Sequence, residues 1–276
     1  MVYLSYTPPA PLSQFVERLW LVSGGQLPRK ERILPSGTVE LVVNLCEDRV
    51  TIDSTMRRTC VTPYSGVVAS GTYSGAFVID AMQHELMMGV HFRPGGARAA
   101  FGVPASELTD SHVDLGAMGR DVAAQELRDR LCGAATHEAR FQYLQHALSR
   151  LLPSASRIHP VVQFALERFG ATGSGASVGD VARAAGLSHR RFLTIFTAEV
   201  GLSPKLFCRI LRFRHLHALA QRTGRIDWAQ IAQTCGFFDQ SHLANEFRKL
   251  SGLTPTEYER DLQRSRDVLA GHVAIS

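Results

Sequence analysis

The chain has 276 residues, of which 45% are hydrophobic and 20% are charged, and its formal net charge is +5. This length accommodates two domains of ordinary size, and the composition is that of a soluble globular protein, which excludes disordered and fibrous classes. No apolar run approaches the length of a membrane span, and the N-terminus lacks the pattern of a secretory signal.

The first half of the chain is rich in Val, Ile, Thr, Tyr and Gly from about residue 33 to residue 95. Short apolar runs alternate with turn residues there, which is typical of a small sandwich or barrel. The runs cover residues 39–45, 49–52, 67–69, 76–79 and 87–92. Because helical patterns follow at residues 95–101, 120–131 and 136–151, the sequence predicts an α+β fold in which helices flank a small β-barrel.

The pattern breaks after Leu151, where Pro153 and two serines end the preceding helix. The next helix is predicted to begin near His159, with Pro160 in its first turn. We therefore expect an N-terminal domain over residues 1–152, a C-terminal domain over residues 153–268 and a tail over residues 269–276.

The C-terminal part contains one segment twice, at residues 181–204 and 231–255. Each copy has a short apolar helix that ends at a glycine, a second helix, and a closing Gly-Leu-[Ser/Thr]-Pro sequence. The glycine supplies the left-handed conformation that a tight turn needs. A single copy would be more typical of an ordinary helical hairpin in a bundle. Two copies favour helix-turn-helix units, whose second helix enters the DNA major groove.

The second helix of each copy has its own capping residue, Ser188 in the first and Asp239 in the second. One stripe of each helix is apolar at helical spacing and is expected to face the core. The stripes are Phe192, Phe196 and Val200 in the first copy, and Leu243, Phe247 and Leu250 in the second. The opposite faces are therefore free to contact DNA.

This region contains an ordered series of short motifs. They include Val181-Ala182, Gly186-Leu187-Ser188, Ser203-Pro204, Gly236-Phe237 and Phe247-Arg248-Lys249. On these motifs, residues 158–263 resemble the DNA-binding domain of AraC-type transcriptional regulators. The resemblance implies seven helices, with a long helix joining two helix-turn-helix units. It implies double-stranded DNA as partner, with RNA polymerase as a further candidate partner.

The distribution of charge supports a polyanionic partner for the C-terminal half. Residues 157–266 hold 16 Lys and Arg against 9 Asp and Glu, a net charge of +7. Residues 1–156 hold 14 against 15, a net charge of −1. A basic domain beside a near-neutral one favours binding to nucleic acid through one half of the chain. Attraction to a membrane surface fits less well, because no helix combines a basic face with a wide apolar face.

The exposed faces of the two second helices carry side chains that can read bases. Arg190 can pair with guanine, Thr194 can contact a base or a thymine methyl group, and Gln240 or Asn245 can pair with adenine. For each residue a phosphate contact or plain solvation is the alternative, since at least half of such hydrogen bonds go to the DNA backbone. The full set of candidates on these faces is His189, Arg190, Thr194, Gln240, Ser241 and Asn245.

The helix between the copies, from Pro204 to about Arg222, is about 28 Å long at 1.5 Å per residue. This length helps to place two helices in successive grooves, which lie about 34 Å apart on one DNA face. Arg209, Arg212 and Arg214 are candidates for phosphate contacts, and for Arg209 and Arg214 a simply solvated position is the alternative. Arg212 matches a position of the family, for which a structural role is the alternative.

The stretches 34–41 and 89–96 resemble a cupin-like sensor domain attached to some AraC-type regulators, over about residues 1–150. This resemblance implies a small-molecule effector without identifying it. We expect Glu40, His91 and Arg93 to bind the effector, with Arg93 suited to an anionic group. Trp20 either lines the same pocket or packs in the core.

A metal or catalytic site is not predicted. The pair His84-Glu85 and the later His91 do not have the spacing of a zinc or iron motif. On one uninterrupted strand, His84 and His91 would also face opposite sides. Five widely spaced cysteines have neither zinc spacing nor a redox pair, and predict mostly buried, reduced thiols in a cytoplasmic protein.

The helices before the linker carry an apolar stripe formed by Leu127, Leu131, Phe141, Leu144, Leu148 and Leu151. This stripe either pairs across a two-fold axis in a homodimer or covers the strands of its own chain. For the whole chain, we expect a one-component, non-enzymatic and cofactor-free transcriptional regulator. The alternative is a cupin-type enzyme fused to a DNA-targeting module.

Overall fold

The computed structural model describes residues 2–24, 30–55, 61–80, 85–152, 157–170, 176–222, 226–264 and 272–275. The predicted linker around Pro153 falls outside these ranges, so the boundary between residues 152 and 153 stays a prediction. His84 and Cys60 also lie outside the described residues.

The N-terminal half forms two antiparallel sheets together with one strand from the C-terminal end of the chain. The strands are β1 (Val2–Tyr6), β2 (Val16–Ser23), β3 (Lys30–Ile33), β4 (Glu40–Asn44), β5 (Arg49–Thr55), β6 (Thr62–Ser65), β7 (Val67–Ser70), β8 (Phe77–Asp80), β9 (Leu86–Phe92), β10 (His112–Asp114) and β11 (His272–Ile275). The first sheet has the order β1-β2-β9-β4-β7-β10, and the second has the order β11-β3-β8-β5-β6.

The five predicted strand runs are confirmed as β4, β5, β7, β8 and β9, but the predicted barrel is not. Among the described residues, backbone pairing runs within the two sheets and does not close them into one cylinder. The alternation of side chains gives the first sheet two apolar faces, with Leu41 and Val43 on one face and Val42 on the other. The second sheet covers only one of these faces, so the arrangement is a sandwich.

Three helices cover the other face of the first sheet: α1 (Gly96–Phe101), α2 (Asp121–Gly133) and α3 (His137–Leu151). The hydroxyl of Thr136 caps α3 by accepting from the Ala139 amide. Five of the six residues of the stripe considered for a dimer are buried against the same chain, with Leu131 and Leu144 fully inaccessible, and Leu151 is half-buried there. The intrachain alternative is thus confirmed for this stripe, and a homodimer remains a prediction without that motivation.

The described C-terminal residues contain seven helices, the number that the family resemblance implies. They are α4 (Pro160–Gly170), α5 (Val178–Ala184), α6 (His189–Val200), α7 (Pro204–Arg222), α8 (Trp228–Thr234), α9 (Gln240–Ser251) and α10 (Pro255–Arg264). Aromatic rings fill their core: Phe192, Phe196 and Phe207 in the first half, and Phe213, Trp228, Phe247 and Tyr258 in the second.

The two halves of the chain are joined by more than the linker. Strand β11, which follows the last helix, pairs antiparallel with β3 of the N-terminal half. The tail expected over residues 269–276 therefore contains a strand that the sequence did not predict. Within the described part of the chain, no helix is long and apolar enough to cross a membrane.

The described cysteines differ from the expectation that most are buried. Cys235 is buried and Cys208 is half-buried, but Cys46 and Cys132 are exposed. Burial raises the pKa of the Cys208 thiol to about 11, so this thiol stays protonated at neutral pH.

Candidate nucleic-acid interface

The first helix-turn-helix unit consists of α5 and α6. Gly186 turns the chain between them with φ of 70°, a conformation that strongly favours glycine. The hydroxyl of Ser188 caps α6 by accepting from the Arg191 amide at 3.3 Å. Phe192 and Phe196 are fully buried, which fixes the rotation of α6 about its axis. The predicted turn, cap and buried stripe are all confirmed.

The second unit, α8 and α9, repeats this geometry. Gly236 has φ of 69°, and the Asp239 carboxylate accepts from the His242 amide at 2.6 Å. Leu243 and Phe247 are fully buried, as predicted. Each second helix therefore presents its opposite face outward from the domain.

All six residues predicted to read bases lie on exposed surface. On α6, the Thr194 hydroxyl donates to the Arg190 carbonyl oxygen at 3.1 Å, which leaves the oxygen of Thr194 able to accept. On α9, Gln240 and Ser241 occupy the first turn, and Asn245 lies one turn further along the same face. The structure brings each set of three together on one helix face, and their contact with DNA stays a prediction.

The three arginines predicted on α7 all have partners inside the protein. Arg209 donates from Nε to the Glu246 carboxylate on α9 at 2.5 Å. The guanidinium of Arg212 lies 5.4 Å from the centre of the Phe237 ring, a cation–π distance that supports the structural alternative. Arg214 donates to the Ser36 carbonyl oxygen at 3.2 Å, across the domain boundary. A phosphate contact by any of them must compete with these interactions.

The ion pair at Glu246 joins α9, the recognition helix of the second unit, to α7. The recognition helix of the first unit is α6. Burial opposes the charged carboxylate, but hydrogen bonds from Arg209 and Lys249 outweigh it and hold the pKa of Glu246 below its usual range. Glu246 is thus ionised at neutral pH, and α9 is held by charge as well as by its apolar stripe.

Sequence reasoning missed one prominent side chain of this surface. Phe238 is 92% exposed and lies in the turn just before the cap of α9. The signal was the pair of aromatics in Gly-Phe-Phe-Asp, of which only Phe237 is buried. An exposed ring at the start of a recognition helix is suited to contact a thymine methyl group.

The residues predicted to bind an effector do not all lie close together. Glu40 and His91 face each other between β4 and β9, with 2.9 Å between Oε1 and Nδ1. Glu40 lines a cavity between the two sheets, and Trp20 lies in the same wall. Arg93 is exposed, donates to the Ser13 carbonyl oxygen at 2.7 Å, and is not among the described residues that line this cavity.

No group of three metal-ligating side chains occurs among the residues that the structure describes.

Two protein-family models match the chain. Residues 181–261 match a helix-turn-helix domain, and residues 4–114 match a domain of unknown function, DUF6597. The helices α5 to α10 therefore belong to a helix-turn-helix domain. The cupin-like character predicted for the N-terminal half is not shown by these matches.

One curated relative matches the C-terminal domain. The chain is 33% identical over 86 residues to the probable transcriptional regulator LumQ of Photobacterium leiognathi. This match covers 30% of the chain and spans a third of that relative's length.

The chain is also similar to solved structures over part or most of its length. An AraC-type DNA-binding protein of Chromobacterium violaceum is 25% identical, with a TM-score of 0.35, over 40% of this chain and 96% of that one. A fatty-acid-bound ToxT structure of Vibrio cholerae is 9% identical, with a TM-score of 0.47, over 93% of this chain and 94% of that one.

Proposed function

We propose that this chain, whose residues 181–261 form a helix-turn-helix domain, is a cytoplasmic, sequence-specific transcriptional regulator of the AraC type. The observation that carries the proposal is the repeated unit. Two capped helices bury equivalent stripes and present two exposed polar faces within one basic domain. Such a pair is suited to read two neighbouring stretches of major groove.

Each recognition helix has its own chemistry in this proposal. On α6, Arg190 pairs with guanine, while His189 and Thr194 contact neighbouring bases or phosphates. On α9, Gln240 or Asn245 pairs with adenine, and Ser241 supports the contact. Helix α7 has 19 residues, which corresponds to about 28 Å and approaches the groove spacing of about 34 Å.

The N-terminal domain, proposed to span residues 1–152, acts as an effector-responsive domain. Two facing antiparallel sheets around an apolar cavity support the cupin-like character that its sequence suggests. The domain proposed for DNA binding spans residues 153–268. RNA polymerase and a second copy of the chain remain proposed partners.

Contacts between the two halves support regulation, because they gather at the C-terminal ends of both recognition helices. At the end of α6, Arg98 is 2.7 Å from the Glu199 carboxylate, and the Thr109 hydroxyl donates to the Gly201 carbonyl oxygen at 2.5 Å. At the end of α9, the Ala76 amide donates to the Leu250 carbonyl oxygen at 2.8 Å. Terminal carbonyl groups of a helix lack intrahelical donors, and here the N-terminal domain supplies them.

An effector regulates only if it binds two arrangements of the protein with different affinity. In this proposal, the arrangement that changes is the packing of both recognition helices, α6 and α9, against the N-terminal domain. A shift of the loop that carries Ala76 would move the end of α9 directly, since a backbone hydrogen bond joins them.

The DNA-binding part is tested with the full-length chain. Selection from a random DNA pool should enrich one sequence with two separated conserved stretches, one for each recognition helix. Affinity for that sequence, measured by fluorescence anisotropy, should fall about 10³-fold or more between 50 and 200 mM salt if about six phosphates are contacted. Binding without any enriched sequence would overturn the claim of specificity, and absence of binding at low salt would overturn the proposal.

A further inference from the structure

The turns of the two helix-turn-helix units differ in length by one residue. In the first unit, one residue separates the turn glycine Gly186 from the cap Ser188. In the second unit, two residues separate Gly236 from Asp239, and the additional one is Phe238. The first unit forms its turn, cap and buried stripe without such a residue. The fold of the unit therefore does not require the Phe238 ring.

The exposure of Phe238 sets it apart from the other phenylalanines. All 14 phenylalanines of the chain lie among the described residues, and of these Phe238 alone is exposed. Its neighbour Phe237 is buried, with its ring centre 5.4 Å from the Arg212 guanidinium and 5.5 Å from that of His242. Single exposed apolar side chains are common at protein surfaces. The position of this ring therefore decides what it can contact.

Hydrogen bonds within the unit fix the backbone on both sides of Phe238. The Phe237 amide donates to the Ala232 carbonyl oxygen at 2.9 Å, and the Phe238 amide donates to Nδ1 of His242 at 3.4 Å. The amide of His242 in turn donates to the Asp239 carboxylate at 2.6 Å. The turn thus holds the ring outward before any partner arrives, which reduces the entropy lost when the ring makes a contact.

The ring lies beside the side chains proposed to read bases. Phe238 directly precedes the cap of α9, and Gln240 and Ser241 follow in the first turn of this helix. The N-terminal residues of a recognition helix contact base edges in the major groove. Residues 157–266 have a net charge of +7, which favours the approach of a polyanion to this domain. Double-stranded DNA is therefore the partner that we expect to cover the ring.

The chemistry of this end of α9 limits which group of the DNA it contacts. A phenyl ring has no conventional hydrogen-bonding group, so it does not pair with the polar edge of a base. The Asp239 carboxylate, which follows Phe238 in the chain, would repel a phosphate. In the major groove, base pairs present one apolar group, the 5-methyl group of thymine. The ring is suited to this methyl group.

We propose that Phe238 is a specificity-determining residue of the second unit, and that its ring packs against the 5-methyl group of one thymine. The inference rests on the proposed function and deepens it, because it names a group of the DNA that the second unit recognises. In the first unit the residue before the cap is Leu187, which is half-buried against the core. The requirement for a methyl group at this turn therefore belongs to the second unit.

The test removes the methyl group and nothing else. The full-length chain first selects its preferred sequence from a random DNA pool. Each thymine of that sequence, on both strands, is then replaced in turn by uracil, which pairs with adenine but lacks the methyl group. Fluorescence anisotropy measures the affinity. We expect one replacement to weaken binding about fourfold, since a buried methyl-sized group is worth about 0.8 kcal/mol and 1.4 kcal/mol is tenfold.

Variants of the protein assign this loss to the ring. Phe238→Ala should bind the thymine and uracil forms of that position with equal affinity, because the ring that contacts the methyl group is absent. Phe238→Leu keeps an apolar side chain and should retain part of the difference. Val122→Ala is the matched control, since it shortens another apolar side chain, 82% exposed on α2, and should keep the full difference. Urea denaturation checks that each variant folds.

Three results would overturn the proposal. They are a selected sequence in which no uracil replacement weakens binding, the same loss at the same thymine in Phe238→Ala, and unchanged affinity of Phe238→Ala for the selected sequence. The first result needs no variant. In each case the chain still selects a sequence, so the proposed function stands. A chain that binds no DNA at low salt, or selects no sequence, overturns the proposed function and this inference with it.

Discussion

The two helix-turn-helix units have the same backbone but are held in place differently. In both, a glycine of positive φ precedes a capped helix, and another ends it. The end of α6 is fixed by an ion pair and a hydroxyl group of the N-terminal domain. The end of α9 is bound by the backbone amide of Ala76 and by Arg32, whose guanidinium donates to the Ser251 carbonyl oxygen at 3.2 Å. The Glu246 carboxylate of α9 also pairs with Arg209 of α7.

Two copies of one sequence motif are therefore held in place by different contacts. The first unit depends on side chains of the N-terminal domain for its anchoring. The second unit is bound by the same domain through the Ala76 amide and the Arg32 side chain, and it also pairs with α7. Changes in the N-terminal domain should therefore reach both units, whereas the end of the second unit has an additional ion pair inside its own domain.

The largest expected effect compares the glycines that end the two recognition helices. Gly201 and Gly252 have φ of 88° and 75°, so alanine costs about 1–2 kcal/mol at either position. At Gly201 the added Cβ would also lie 2.3 Å from the Thr72 hydroxyl and 3.0 Å from the Ala105 carbonyl oxygen. At Gly252 it would meet only the far end of the Arg32 side chain, at 2.9 Å.

Gly201→Ala should therefore lower the free energy of unfolding by about 2–5 kcal/mol, because the clash adds about 1–3 kcal/mol to the cost of the left-handed backbone. Gly252→Ala should cost about 1–2 kcal/mol. Urea denaturation of both variants measures the difference. Equal losses would show that the N-terminal domain does not hold the first unit closely.

The next effect is a loss of stability at low pH, which distinguishes the core of the second unit from that of the first. His217 of α7 is buried against Phe213 and Tyr258, with ring centres 6.5 and 5.6 Å away, and burial lowers its pKa to about 4. An unfolded histidine titrates near 6.5, so the unfolded state binds the proton first as the pH falls. The contribution of His217 to the free energy of unfolding is complete above about pH 6.5. It falls by about 3 kcal/mol as the pH drops to about 4.

Replacement of the imidazole should remove this dependence. His217→Phe is expected to reduce the loss of unfolding free energy between pH 7 and pH 4.5, whereas His215→Phe, an exposed change on the same helix, should not. Urea denaturation across this range is the measurement. His112 is buried in the N-terminal domain and titrates similarly, so some acid sensitivity should persist in His217→Phe. Identical pH profiles for the two variants would contradict the assignment.

The smallest expected effects concern the reading of DNA. Arg190→Ala and Gln240→Ala should each relax preference in a different half of the selected sequence, at a cost of about 1–3 kcal/mol per lost base contact. Arg183→Ala is the control, because this exposed arginine of α5 pairs with Asp180 at 2.8 Å. Competition binding with single-base variants measures the preference. A uniform loss in Arg190→Ala would identify Arg190 as a phosphate contact.

The sequence did not predict which residues the cationic side chains contact. Arg209, Arg212 and Arg214 alternate with apolar residues in a pattern that any exposed basic helix has. Which of them meets Glu246, Phe237 or Ser36 depends on how α7 packs against α9 and the N-terminal half. The exposed surface of α6 and α9 was predictable, because Phe192, Phe196, Leu243 and Phe247 fix the rotation of each helix.

The sequence by itself determined the paired helix-turn-helix units, since turn glycines, Ser188, Asp239 and the apolar stripes act within a few residues of one another. The tertiary structure alone decided that the strands form two sheets instead of a barrel, and that β11 joins one of them. It also placed Trp20 and His112, 92 residues apart in the chain, in one cavity wall. Strand pairing and cavity walls depend on residues far apart in the chain, and side-chain alternation specifies a face without specifying which partner covers it.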